Sequence, residues 1–109
     1  MSNLIYINNH YVPNQISLIT RWAKARNLIK GSTVKNQTLK LVQEVGELSD
    51  SICKGKSPID DIGDCLVCLI VLAEQSELTI QQCIEHAYDD IKNRKGQVID
   101  GVFVKESDL

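Results

Sequence analysis

The sequence predicts an all-α protein, a four-helix bundle with short extended or hairpin segments at its termini. Three observations predict it. Apolar residues recur at helical spacing in four stretches; Gly, Pro and Ser residues punctuate the intervals between them; and the two segments of extended character, "LIYINNHYVP" and "QVIDGVFV", are too short to dominate the fold. A chain of 109 residues without internal repeats supports one core, so residues 1–109 read as a single domain.

The first helix is expected from just after Pro13 to about Asn27, with Ile16, Ile19, Trp22 and Ala23 on one face. After the loop at Lys30-Gly31-Ser32, the second runs from about Thr33 to Lys54. Its apolar arc is Leu41, Val45, Leu48 and Ile52, and Gly55 ends it. The third begins at "SPID", where Ser57 can cap, Pro58 suits the first helical position and Asp60 completes a capping box. From Cys65 to Ala73 this helix is apolar on every side. It needs protein all round it, and a small chain obtains that most readily from a second copy, so a homodimer or homotetramer is expected. The fourth opens at Thr79 with Gln82 as box partner and closes near Lys95-Gly96. Beyond it, Asp100-Gly101 lies between β-branched and apolar residues, the signature of a small hairpin.

A net charge of −2, with basic residues such as Arg21, Lys24 and Lys30 scattered, argues against nucleic acid as a partner. No apolar run is long enough to span a bilayer, and the N-terminus lacks the basic start and cleavage site of a signal peptide, so a cytoplasmic protein with reduced thiols is expected. Cys65-x-x-Cys68 and Cys83-x-x-His86 have zinc-like spacing. However, "CLVCLIVLA" has no Gly or Pro to form a knuckle, and Cys83 falls on the apolar stripe Ile80, Cys83, Ile84, Ala87, Ile91. The cysteines therefore read as small buried hydrophobes. His86 reads as a surface or edge residue, and His10 as part of a mobile arm.

The chemistry lies in two acidic pairs. Glu44 and Glu47 stand three residues apart on the second helix, and Asp61 and Asp64 three apart on the third, so each pair shares a helix face bordering the core. An antiparallel hairpin of these helices brings four carboxylates together. Such a cluster demands a positive charge, and a hard divalent cation, Mg²⁺ or Mn²⁺, suits oxygen ligands best. Gly46 and Gly63, each costing about 1 kcal/mol inside a helix, suggest the close approach of a helix or ligand. A di-iron bundle would require Glu-x-x-His on two helices, which these pairs lack.

Gln43-Glu44-x-x-Glu47 followed by Asp61-x-x-Asp64 and "CLVCLIVLA" resembles the MazG-like branch of the all-α nucleoside triphosphate pyrophosphohydrolases. The resemblance covers roughly Trp22 to Lys95, and the ending "NRKGQVIDGVFVKE" is most similar to small phage and bacterial members. Gln43 stands where the family's first Glu falls, and Asp61 replaces a Glu. The resemblance implies Mg²⁺-dependent cleavage of a nucleoside or deoxynucleoside triphosphate between the α- and β-phosphates. In that reading Glu44, Glu47, Asp61 and Asp64 are the metal-binding and catalytic residues. Lys40, Asn93, Arg94 and Lys95 contact the nucleotide, and Trp22 is available to stack on its base. With Gln43 uncharged, the alternative is a catalytically weak module that binds nucleotide and metal for regulation.

Overall fold

The computed structural model describes residues 4–7 and 10–109, with side chains described from Asn14 onward. Its order is β1 (Leu4–Ile7), β2 (His10–Pro13), α1 (Gln15–Ala25), α2 (Val34–Cys53), α3 (Ile59–Gln75), α4 (Ile80–Ile91), β3 (Gly96–Ile99) and β4 (Val102–Lys105), closed by a short 3₁₀ turn. The expected four helices and terminal extended segments are present. His10 lies in β2, and its side chain is outside the described residues.

Local chemistry sets most boundaries. Asn14 caps α1, its side chain accepting from the Ile16 amide at 2.8 Å. The helix stops at Ala25 because Asn27 turns left-handed at φ 59°, allowing the Leu28 amide to reach the Ala23 carbonyl at 2.9 Å. Thr33 caps α2 through the Asn36 amide, and Gly55, at φ 68°, ends it as expected. The Thr79–Gln82 capping box closes reciprocally at 2.8 and 3.1 Å. Asp100 and Gly101, at φ 52° and 81°, form the two-residue turn pairing β3 with β4, with Ile99 opposite Val102.

Two boundaries differ from expectation. Pro58, not Ser57, occupies the cap position of α3, with φ −89° and ψ 12°, and no side chain caps that end. Ser57 reaches only the Ile59 amide, at 3.5 Å, and the one-residue shift moves Asp60 out of box position. α4 ends at Ile91 rather than Lys95-Gly96, because Gly96 is taken into β3 opposite Lys105 and the Lys95 carbonyl accepts from the Glu106 amide at 2.8 Å.

α2 and α3 pack as the expected hairpin, with α1 and α4 against α3. The buried apolar residues are Ala23 on α1 and Cys65, Cys68, Ile70, Val71 and Ala73 on α3. Much of the expected apolar surface lies outside this core. Val45 and Ile52 of the α2 arc are exposed, as are Trp22 on α1 and Ile62, Leu66 and Leu69 on α3. Cys53 and Cys83 are exposed too, so only Cys65 and Cys68 behave as buried hydrophobes; all four thiols are free. A Cβ at Gly46 or Gly63 would meet nothing within 4 Å, so neither glycine serves close packing within this chain.

Candidate metal and nucleotide site

The α2–α3 hairpin places Glu44 against α3. It is the buried charged side chain among the described residues, 6 % exposed. Lys40, one turn earlier, reaches Glu44 Oε1 with its Nζ at 3.1 Å. The other oxygen, Oε2, is buried and has no hydrogen-bond partner. Glu47 approaches Glu44 closely enough to act on its carboxyl, in the direction that lowers its pKa. Glu47 accepts a long contact from Gln43 Nε2, 3.5 Å away. Asp61 is half-buried and Asp64 exposed.

The four acids share one neighbour. Burial pushes the Cys65 thiol upward, and Glu44, Asp61, Asp64 and Glu47 each push it further in the same direction. All four acids thus lie within electrostatic reach of Cys65. Burial, then the charge of Glu44, raises the Cys68 thiol one turn further along. The hydrogen bond from Lys40 holds Glu44 below the usual carboxylate range despite its burial, and the same bond holds Lys40 above the usual lysine range.

The donor chemistry fits a hard divalent cation: four carboxylates, one with an oxygen facing no donor. Among the described residues, however, no three His, Cys, Asp or Glu side chains stand close enough to hold a metal ion. Glu47 and Asp64 are exposed, and Lys40 occupies one flank of Glu44.

Lys40 is the predicted nucleotide contact that the structure brings to the acids. Trp22 lies on α1, 47 % exposed. Asn93, Arg94 and Lys95 lie past the end of α4 and line a separate concavity with Asp90, Lys105, Glu106 and Ser107, which includes none of the four acids. There Arg94 pairs loosely with Asp90, at 3.8 Å. Sequence reasoning missed a second cleft, between α1, the end of α3 and the start of α4, where Arg21 and Lys24 meet Glu74, Gln82 and Glu85. Lys24 pairs with Glu74 at 3.2 Å. The three-residue spacing of Arg21 and Lys24 marks one helix face, and that was the available signal. Gln75 was also missed. Its amide nitrogen donates to the Leu28 and Ile29 carbonyls at 3.4 and 3.3 Å, tying the loop after α1 to α3, and its Oε1 is buried without a partner.

Over 65 residues the chain is 42% identical to an uncharacterized 18.2 kDa protein of the rep–hol intergenic region of Haemophilus phage HP1 (strain HP1c1). The match spans 58% of this chain and 40% of that protein, so this chain corresponds to less than half of its relative's length. No family model matches the chain, and no solved structure matches it. No helix among the described residues is long and apolar enough to cross a membrane.

Proposed function

We propose that this chain is a Mg²⁺-dependent nucleotide pyrophosphohydrolase that cleaves a nucleoside or deoxynucleoside triphosphate to the monophosphate and pyrophosphate. One observation carries the reading. Glu44 is a buried carboxylate whose Oε2 has no donor, on a helix hairpin that also carries Glu47, Asp61 and Asp64. Burying such an oxygen without a partner is costly, and a divalent cation removes that cost. The resemblance of Gln43-Glu44-x-x-Glu47 and Asp61-x-x-Asp64 to the MazG-like pattern supports the reaction class.

In this reading Glu44, Glu47, Asp61 and Asp64 hold the ion. When bound, it neutralises phosphate charge and lowers the pKa of an attacking water. Lys40 keeps Glu44 ionised in the resting chain and, once released, is one turn from the acids and free to meet a phosphate oxygen. Asn93, Arg94 and Lys95 lie apart from the acids within one chain, which leaves Lys40 as the cation assigned to phosphate.

A second reading, a regulatory module that binds nucleotide and metal without efficient turnover, is favoured by Gln43. This uncharged side chain contacts Glu47 where the resembled pattern has a carboxylate able to take a proton. Incubation with individual nucleotides and Mg²⁺ separates the two readings. The enzyme yields pyrophosphate and monophosphate in equal amounts, the module binds without products, and orthophosphate with diphosphate overturns the proposed reaction. Asp64→Asn should lower metal affinity and turnover together while leaving the metal-free protein at least as stable as wild type. A destabilised metal-free variant with full activity would make Asp64 a structural residue.

A further inference from the structure

Among the described residues, three lysines pair with a carboxylate one helical turn away, and one of these pairs is unlike the others. Lys54–Asp50 on α2, at 2.9 Å, and Lys92–Asp89 at the end of α4, at 3.1 Å, join side chains that are 42% exposed or more. Water solvates both partners, so either pair parts at little cost. Lys40–Glu44, also on α2 and at 3.1 Å, joins a half-exposed lysine to a carboxylate side chain only 8% exposed. Here the ammonium is the charge that lets a carboxylate stay ionised away from water. The lysine head sits on a flexible four-carbon stem and is hydrated as soon as it leaves. The pair therefore has one fixed partner and one removable partner.

We infer that Lys40 is an exchangeable counter-ion: in the metal-free chain its ammonium holds the place of a divalent cation at Glu44, and each of the two expels the other. The inference rests on the metal reading of the acids proposed above and adds how that site loads. Lys40 meets Oε1 alone, and Oε2 stays buried with no hydrogen-bond partner, so the ammonium satisfies only half of the carboxylate. A divalent ion carries twice the charge and takes oxygen ligands from several carboxylates at once. It does not share Glu44 with the ammonium, because two cations on one buried carboxylate repel each other strongly where water is scarce. The exchange has a sign that separates it from a structural ion pair. Removing a residue that merely supports a site weakens binding or leaves it unchanged, whereas removing a competitor tightens it.

The test titrates the full chain with magnesium chloride alone, without nucleotide, and has two readouts. Calorimetry should give a dissociation constant lower by about fivefold or more for Lys40→Met than for wild type. Acetylation of wild-type amines, read by mass spectrometry, should show Lys40 becoming severalfold more reactive as Mg²⁺ is added. Lys54, on the same helix and at the same spacing from its own partner Asp50, is the internal standard and should not change. Lys40 is half-exposed, so the fold tolerates methionine there; should the variant fail to fold, wild-type labelling decides. If wild type binds Mg²⁺ while Lys40 keeps its reactivity, or if Lys40→Met binds the ion no more tightly, the exchange is overturned and the metal reading stands. If neither chain binds Mg²⁺, the metal reading falls and the exchange falls with it.

Discussion

α3 buries Cys65, Cys68, Ile70, Val71 and Ala73, whereas α4, whose stripe of Ile80, Cys83, Ile84, Ala87 and Ile91 is the more sharply segregated, buries nothing. α3 has neighbours on several sides, from α1, α2 and α4, while α4 contributes its first turns to a polar cleft and then runs on to the β3–β4 hairpin. An amphipathic pattern states that a helix has a face to cover; it does not state what covers it. The candidate chemistry follows the same division. The acids lie on the α2–α3 pair, and Asn93, Arg94 and Lys95 lie beyond α4, which has no buried residue.

The strongest way to break this contrast is to cut into each helix in turn. Val71, 1% exposed, lies at the centre of the α3 packing, so Val71→Ala should cost about 2 kcal/mol through lost contacts and an unfilled cavity. The matching Ile84→Ala in α4, measured by urea unfolding at concentrations where the chain is monomeric, should cost less than about 1 kcal/mol. Equal losses would show that α4 is packed within its own chain. An Ile84→Ala loss that grows with protein concentration would sharpen the contrast, placing α4 in the interface between copies.

A smaller effect is expected at Thr79, whose hydroxyl accepts from the Gln82 amide while the Gln82 side chain accepts from the Thr79 amide. Thr79→Ala should cost about 1 kcal/mol. The box closes within one turn, so this loss should be the same in the monomer and the assembly. A concentration-dependent loss would mean that the α4 start itself takes part in association.

The smallest effect is in pH dependence. Glu44 is held below its ordinary value of 4.5 by Lys40. Its contribution to stability is fully present above that value and is lost as pH falls through the lower folded-state pKa. Lys40, held above 10.5 by Glu44, contributes below that value and loses its contribution as pH rises through the raised folded-state pKa. Lys40→Met should remove both dependences, flattening the acid and alkaline limbs of the melting-temperature profile and lowering the neutral plateau, where Glu44 is left buried beside no cation. Lys40 is half-exposed and water already screens the pair, which keeps the change modest. An unchanged acid limb would mean that Glu44 titrates without reference to Lys40.

The features read correctly from the sequence are those that close over a few residues. The Thr79–Gln82 box, the Gly55 stop and the Asp100-Gly101 turn each depend on atoms within one turn of chain, and the helical repeat alone puts Glu44 with Glu47 and Asp61 with Asp64. Even local reading fails where two signals compete. Pro58 displaces the expected cap frame at Ser57, and pairing of Gly96 with Lys105 shortens α4.

What only the tertiary structure decided is which of these residues lost water, and to what neighbour. The sequence placed four acids at the border of a core, but it took the packing of α2 on α3 to bury Glu44 alone, pair it with Lys40 and leave Oε2 without a donor. The same packing exposed Val45, Ile52 and Trp22, left Gly46 and Gly63 in open space, and separated Asn93, Arg94 and Lys95 from the acids. Helix and turn geometry is encoded by neighbours along the chain. Burial depends on atoms supplied by distant segments, and in this protein one chain supplies them for α3 but not for α4.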